Sequence, residues 1–174
     1  MKDNRGFSLV ELIICVAILS ILLVFGFSQL GVVNSYRARE AVKKADTAIN
    51  DCKVTTLSKS QATGLTLANV DVYLEFYKDA NGYWIKLHEG TSSETIKQIS
   101  KKRVKMTYKC DGTGSVETEV TESSPLRIGF NRTTGAFLAQ ADGTFVTSIK
   151  FYGGDNDYSI RLIPKTGKTM TKQQ

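Results

Sequence analysis

The fold is decided by the stretch GFSLVELIICVAILSILLVFGF, residues 6–27. A helix needs about 20 apolar residues to cross the hydrocarbon core of a bilayer, so residues 7–27 are predicted to span a membrane. Glu11 is the one charged residue in this run. A carboxylate in lipid is costly unless something pairs with it, which makes Glu11 a candidate functional residue.

The helical pattern continues beyond the apolar run. In residues 28–60, apolar and small residues recur mostly at spacings of three and four, with charged residues mostly between them, which is typical of an amphipathic helix. No proline interrupts residues 7–57. We therefore expect one helix of about 50 residues and about 75 Å, with an apolar stripe formed by Tyr36, Ala41, Ala45, Ala48, Ile49 and Cys52.

The remaining chain, residues 61–174, has the pattern of a β-rich head. The runs VDVYLEFY (70–77) and YWIKL (83–87) are joined through DANG (79–82), which predicts a hairpin. Turn residues separate the other apolar runs. The fold class is therefore α+β, with a long N-terminal helix packed on antiparallel sheets, and further strands are predicted at 104–110, 116–120, 126–130, 136–139, 145–152 and 158–163.

The start of the chain resembles a known signal. Gly6, Phe7 and Glu11, with a short charged leader and an unbroken apolar helix, are similar to the class III signal of type IV pilins and pseudopilins. The resemblance implies that residues 1–6 are a leader, that a prepilin peptidase cuts between Gly6 and Phe7, and that the new amine of Phe7 is methylated. It also implies that Glu11 neutralises the Phe7 ammonium of the next subunit, which removes two costly charges from lipid.

The same resemblance implies partners and a location. The partners are the prepilin peptidase, other pilin or pseudopilin subunits, the membrane and, indirectly, an assembly platform and its ATPase. The chain would be a single-pass protein of the cell membrane, with its leader in the cytoplasm and its head outside, which then enters a pilus or pseudopilus. A plain membrane anchor is the alternative, but it leaves Glu11 and the Gly6–Phe7 junction unexplained.

The last third of the chain carries a second resemblance. The segments FNRTTG (130–135), GTF (143–145) and YSIRLIPKTGK (158–168) are similar to the closing hairpins of the GspH/FimT group of minor pseudopilins. Proteins of that group pack a long helix on a β-rich head. The resemblance implies a structural subunit of a type IV pilus, a type II secretion system or a competence pseudopilus, and it does not choose among these.

The three cysteines allow two interpretations. Cys15 lies in the apolar run and is expected to pack there as a small residue. Cys52 and Cys110 form an even pair that an oxidising compartment could join in a disulfide bridge. Two free thiols are the alternative, because the sequence does not give the Cα separation that a bridge requires.

Few residues are suited to catalysis or metal binding. His88 is the only histidine, and neither a nucleophile motif nor a metal motif surrounds it. We therefore expect no enzyme, no cofactor and no metal, and we interpret GGDND (153–157) as a turn between strands rather than a calcium loop.

The end of the chain is basic. Net charge is +6, and residues 165–172 carry lysines without acids. DNA contact through Lys165, Lys168 and Lys172 is the alternative function, that of a DNA-binding minor pilin of a competence pilus. A solvated basic tail explains the same residues.

Overall fold

The computed structural model describes residues 8–59, 67, 70–90, 93–101, 103–112, 116–154 and 156–173, and only the backbone of 25–32, 93 and 94. The predicted leader, residues 1–6, and Phe7 lie outside the described residues. The described chain forms one helix, α1 (Leu9–Ser58), and nine strands. The strands are β1 (Val72–Asp79), β2 (Gly82–Glu89), β3 (Ser93–Lys101), β4 (Lys105–Cys110), β5 (Thr118–Glu119), β6 (Leu126–Gly129), β7 (Val146–Gly153), β8 (Asn156–Ile163) and β9 (Lys168–Gln173).

The predicted class, a long N-terminal helix on antiparallel sheets, is confirmed. One sheet has four strands in the order β3-β2-β1-β6, and the other has five in the order β5-β4-β7-β8-β9. Every pairing described within the two sheets is antiparallel. The predicted hairpin is β1–β2, with Asp79 opposite Gly82. The φ angle of Gly82 is +138°, a backbone conformation that residues other than glycine rarely adopt.

The C-terminal half of α1 packs against both sheets through a stripe of mostly small residues. The stripe recurs every three or four positions, as a helix face should, and its buried members are Ser35, Ala38, Ala41, Val42, Ala45, Ile49, Cys52 and Thr56. The prediction was wrong at Tyr36, which is 67 % exposed. It lies between Ser35 and Ala38 on the sequence and faces away from the sheets because each position rotates the helix by about 100°.

The small residues let the strands approach the helix closely. Ser35 donates a hydrogen bond from Oγ to the Gly153 carbonyl at 3.0 Å. At Gly153 a Cβ would lie 2.5 Å from the Asn34 oxygen and 2.6 Å from the Ala38 Cβ. Glycine is therefore required at the point where β7 crosses the helix.

Two further contacts attach α1 to the β8–β9 hairpin. Lys53 donates from Nζ to the carbonyls of Thr166, at 3.1 Å, and Gly167, at 2.9 Å. Thr169 donates from Oγ1 to a carboxylate oxygen of Asp46. These bonds hold the last strand beside the helix.

Three strand predictions from sequence need correction. Neither β3 nor β9 was predicted, although the side chains of β9 are mostly exposed, as expected of a solvated tail. Residues 136–139 form no strand and take part only in isolated bridges, at Phe137, which pairs with Phe130, and at Ala139. Both missed strands lie at sheet edges, where few side chains are buried and the alternating pattern is weak.

We predict that Gly153→Ala lowers the free energy of unfolding by about 2 kcal/mol, because the new methyl group overpacks the helix–strand crossing. Urea unfolding of the full chain in detergent, followed by the fluorescence of Trp84, measures this. Gly112→Ala is the control: its φ is +81°, but a Cβ there meets nothing within 4 Å, so only the backbone cost of about 1 kcal/mol is expected. Equal losses would contradict the close-approach argument.

Candidate assembly site at the start of the helix

Ser8 and Glu11 fix the first turn of α1. Ser8 is the N-cap, with φ −70° and ψ 144°, and its Oγ accepts a hydrogen bond from the Val10 amide at 3.2 Å. In return the Ser8 amide donates to Oε2 of Glu11 at 3.0 Å. This reciprocal pair is a capping box, which satisfies two amides that the helix leaves unpaired.

The capping box directs the Glu11 carboxylate toward the beginning of the chain. Glu11 is exposed and lies in the first turn, where the helix dipole favours a negative charge. Its Oε2 accepts a hydrogen bond from the Ser8 amide, so the charge lies at the N-terminal end of the helix. Gly6 and Phe7, the predicted cleavage and methylation residues, lie outside the described residues, and their roles remain predictions.

The first turns of α1 after the cap are apolar on every side. Between Leu9 and Val24 the large apolar side chains are all 52–76 % exposed. A helix that is apolar all round is normally covered by lipid or by other helices. Glu11 is the only charged residue in this segment.

Within the described residues, no helix is both long enough and apolar enough to cross a bilayer. The predicted span, residues 7–27, extends beyond the side chains that the structure describes, because Phe7 and the side chains of 25–27 are not among them. The membrane span therefore stays a prediction.

No disulfide bridge joins Cys52 and Cys110 in the part of the chain that the structure describes. Cys52 is fully buried on the sheet-facing side of α1, and this burial raises the pKa of its thiol to about 12 although Thr56 acts in the opposite direction. Cys110 is half-buried at the end of β4. Of the two interpretations left open by the sequence, the described structure has the one without a bridge.

His88 is part of a packed cluster on the outer face of the four-stranded sheet. Its Nε2 lies 2.9 Å from Oε2 of Glu75, and both side chains are only 14 % exposed. Its ring stacks on Tyr73 with centroids 4.3 Å apart, and Arg127 lies 3.5 Å from the same carboxylate. The histidine is held by neighbours on β1 and β6, which the sequence alone did not predict.

The described residues contain no group of His, Cys, Asp or Glu that could hold a metal ion. Gly154 forms the turn between β7 and β8, as residues 153–157 were interpreted, and Asp155 of this segment lies outside the described residues.

The basic residues of the last strand lie beside others that sequence reasoning missed. Lys168 and Lys172 are on β9, and Lys165 is in the turn before it. Cross-strand register sets two rows on the solvent face of the five-stranded sheet, and residues directly opposite each other share a face. The rows are Lys109-Ser148-Arg161-Met170 and Thr107-Lys150-Ser159-Lys172. All of these residues except Thr107 line a groove of about 700 Å³.

Glu117 neutralises one end of this basic face. Its Oε1 lies 2.8 Å from Nζ of Lys150 and 3.4 Å from Nζ of Lys109. Its Oε2 accepts hydrogen bonds from Thr107 and Tyr152. Partial burial alone would raise the pKa of Glu117, but the hydrogen bonds from Lys150, Tyr152 and Thr107 outweigh it and lower the pKa to about 2.

Comparison with known proteins bears on the first residues of the chain. A family model described as the prokaryotic N-terminal methylation motif matches residues 1–27. No curated protein and no solved structure matches the chain. The motif match supports a type IV pilin-like or pseudopilin subunit, and it covers the capping box, Glu11 and the exposed apolar turns.

We predict that Glu117 gives the head a stability that acid removes. Its folded-state pKa of about 2 is below the ordinary 4.5, so its contribution is complete above pH 4.5 and is lost as the pH falls through about 2. Glu117→Gln should lower the free energy of unfolding by about 1 kcal/mol at pH 7. In the variant, this free energy should also fall less steeply between pH 4.5 and 2, as measured by urea unfolding at several pH values.

Glu122→Gln is the matched control, because Glu122 is exposed and makes no hydrogen bond or ion pair within the described part of the chain. It should change neither the stability at pH 7 nor the loss of stability between pH 4.5 and 2. A Glu117→Gln variant that loses stability in acid as steeply as the wild type would show that other carboxylates cause this loss.

Proposed function

We propose that this protein is a non-enzymatic filament subunit, made as a prepilin, cut after Gly6, methylated on Phe7 and assembled through α1. The motif match at residues 1–27 supports the processing. The observation that carries the assembly is Glu11, a single carboxylate in an otherwise apolar and exposed helix segment. Such a residue has a cost that a partner charge would remove.

The proposed mechanism uses the geometry of the first turn. Cleavage would create an ammonium group on Phe7, one residue before the Ser8 amide that Glu11 accepts. Only Oε2 of the carboxylate is engaged in the capping box, so Oε1 can accept a second donor. In a stack of helices, we expect that donor to be the Phe7 ammonium of a neighbouring subunit, because neither charge then remains unpaired in an apolar environment.

The proposal includes the route of the protein to the filament. Before assembly, residues 7–27 would span the cell membrane, with the leader in the cytoplasm and the head outside. The prepilin peptidase, other pilin subunits, an assembly platform and its ATPase are the proposed partners. The two-sheet head on a long helix is consistent with a GspH/FimT-like minor subunit of a pilus, a type II secretion system or a competence pseudopilus.

The test compares three full-length chains in a host that has a prepilin peptidase: the wild type, Glu11→Ala and Glu11→Gln. Intact mass should give a start at methylated Phe7 for the wild type and a start at Phe7 for both variants. Incorporation into sheared filaments should fall in both variants, because both lose the charge. Glutamine can still accept the Ser8 amide as part of a capping box, so only Glu11→Ala should also weaken the helix start.

The two variants separate charge from capping. Normal incorporation of Glu11→Gln would mean that the hydrogen bond, not the charge, is what assembly requires. A wild-type protein that starts at Met1 would overturn the proposed processing and leave α1 as an ordinary anchor.

A second candidate function is contact with DNA phosphates through Lys165, Lys168 and Lys172. The observation that favours it is the row geometry of the five-stranded sheet, where Lys172 lies in one row and Arg161 in the next. Neither side chain has a carboxylate partner within the described residues. Lysine attracts phosphate as a point charge, so the expected binding is weak and insensitive to sequence.

Fluorescence anisotropy of a labelled DNA duplex with the full chain in detergent tests this candidate. Wild-type affinity should fall steeply with salt, and changing the three lysines to Glu should abolish binding. The control changes Lys97, Lys101 and Arg103 to Glu, which alters the net charge equally on another part of the surface. Equal losses in both triple variants, or no binding at 50 mM salt, would end the idea.

A further inference from the structure

A groove runs between α1 and the edge strand β3. It consists of two adjoining cavities, of about 490 Å³ and about 250 Å³, which share Lys44, Gln98 and Ile99 in their linings. β3 is the last strand of the four-stranded sheet and pairs only with β2 in the described structure. One side of the groove is therefore a helix, and the other is a sheet edge.

The larger cavity has an apolar floor. Ala48 of the helix, Ile85 of β2 and Ile99 of β3 line it, and the charged side chains around them are those of Lys43, Lys44, Lys97 and Asp51. The register of β2 and β3 shifts between Tyr83 and Trp84, so that Ile99 is an extra residue in the edge strand. This bulge leaves two successive side chains of β3 buried, Ile99 and Ser100, where a regular strand would bury one.

Ser100 is the unusual residue of the smaller cavity. Its side chain lines that cavity and is 7 % exposed, and its Oγ has no hydrogen-bond partner within the described part of the chain. Leaving a buried hydroxyl unpaired costs about 1–3 kcal/mol. Because χ1 of serine has three staggered positions, the hydroxyl can turn to an acceptor that enters the cavity.

The charges around the smaller cavity favour an anion. Arg37, Lys44 and Lys101 contribute three cations to its lining, and Glu40 contributes the one carboxylate. Glu40 pairs with Lys44 at 2.8 Å. The lining therefore keeps an excess of two positive charges beside a hydroxyl donor, and a carboxylate accepts hydrogen bonds from both kinds of group.

We propose that this groove binds a segment of a neighbouring filament subunit, which places an apolar side chain over Ile85 and Ile99 and an adjacent carboxylate against Ser100 and the cations. The inference rests on the proposed function as a filament subunit. A groove that receives a different surface of the next chain makes a head-to-tail contact. Such contacts generate rings where the rotation between subunits closes and open helical filaments where it does not, so this contact is compatible with a filament.

The segment docks through its side chains rather than as an added strand. Lysines and bulges on an edge strand are the usual devices that prevent strand pairing, and β3 has both, with Lys97 and Lys101 on either side of the bulge. The same bulge turns Ile99 and Ser100 toward the helix. The edge is thus closed to backbone pairing while the groove beside it stays open.

Ser100→Ala is the decisive variant. Removing an unpaired buried hydroxyl should leave the thermal stability of the free chain unchanged or raise it. In cells that also make the wild type, the ratio of variant to wild type in filaments, divided by that ratio in membranes, should fall to about 0.1, since loss of one charge-assisted hydrogen bond weakens association about tenfold. Mass spectrometry measures both ratios.

Ser159→Ala is the matched control, because Ser159 is equally buried but lies on the five-stranded sheet. Its incorporation ratio should stay near one. For the charges, Lys101→Glu should reduce incorporation, whereas Arg39→Glu should not, because Arg39 is an exposed cation of α1 that lines neither cavity of the groove. A photo-crosslinker at Lys97 in assembled filaments should join a pilin segment that contains an acidic residue.

The outcomes separate this inference from the function on which it rests. Wild-type incorporation together with equal ratios for Ser100→Ala and Ser159→Ala would overturn the groove contact alone. A crosslink from Lys97 only to lipid would do the same. Absence of the wild-type chain from filaments would overturn the filament function and the groove contact together.

Discussion

The close contact between α1 and the two sheets is the interaction on which the rest of the head depends. The sheets share no strand, so they need a third element to hold them together. The alanine-rich stripe of α1 does this because small side chains and Gly153 let the backbones come near. A direct bond between Lys78 of β1 and Glu119 of β5, at 2.9 Å, adds a link at the surface, but such an exposed pair contributes little by itself.

One continuous helix therefore presents two different kinds of surface. Its first turns expose apolar side chains on every side, and its later turns bury a narrow stripe. Without a proline in this helix, the position of its start determines the position of the head. Lys44 lies 33 positions after Glu11, which is about 50 Å along the axis. A charge contact that sets Glu11 against a neighbour would thus also set which surfaces of two heads meet beside Lys44.

The sequence predicted the elements that bury the most apolar surface. The helix and the β1–β2 hairpin have strong periodic patterns, and the ends predicted for them lie within a few residues of the observed ends. β3 and β9 lacked that signal, because the runs SETIKQISK and KTMTKQ are polar edge strands. Tyr36 was predicted in the buried stripe from spacings of three and four residues, but it lies five positions before Ala41 and faces away from the sheets. Packing against α1 and against neighbouring strands, not local propensity, decides whether β3 and β9 form and whether Tyr36 is buried.

The same reasoning explains which parts of the candidate site were visible in the sequence. Glu11 stands out locally, because one carboxylate in an apolar run needs no structure to be noticed. The Ser100 hydroxyl and the row that joins Lys172 to Lys150 depend on strand register over long sequence separations, which no local pattern gives. Yet Glu11, the exposed apolar turns and Ser100 have a common property: each is costly in an isolated chain. Folded chains retain such costs at the places where they function, and here all three would be relieved by contacts with a second subunit.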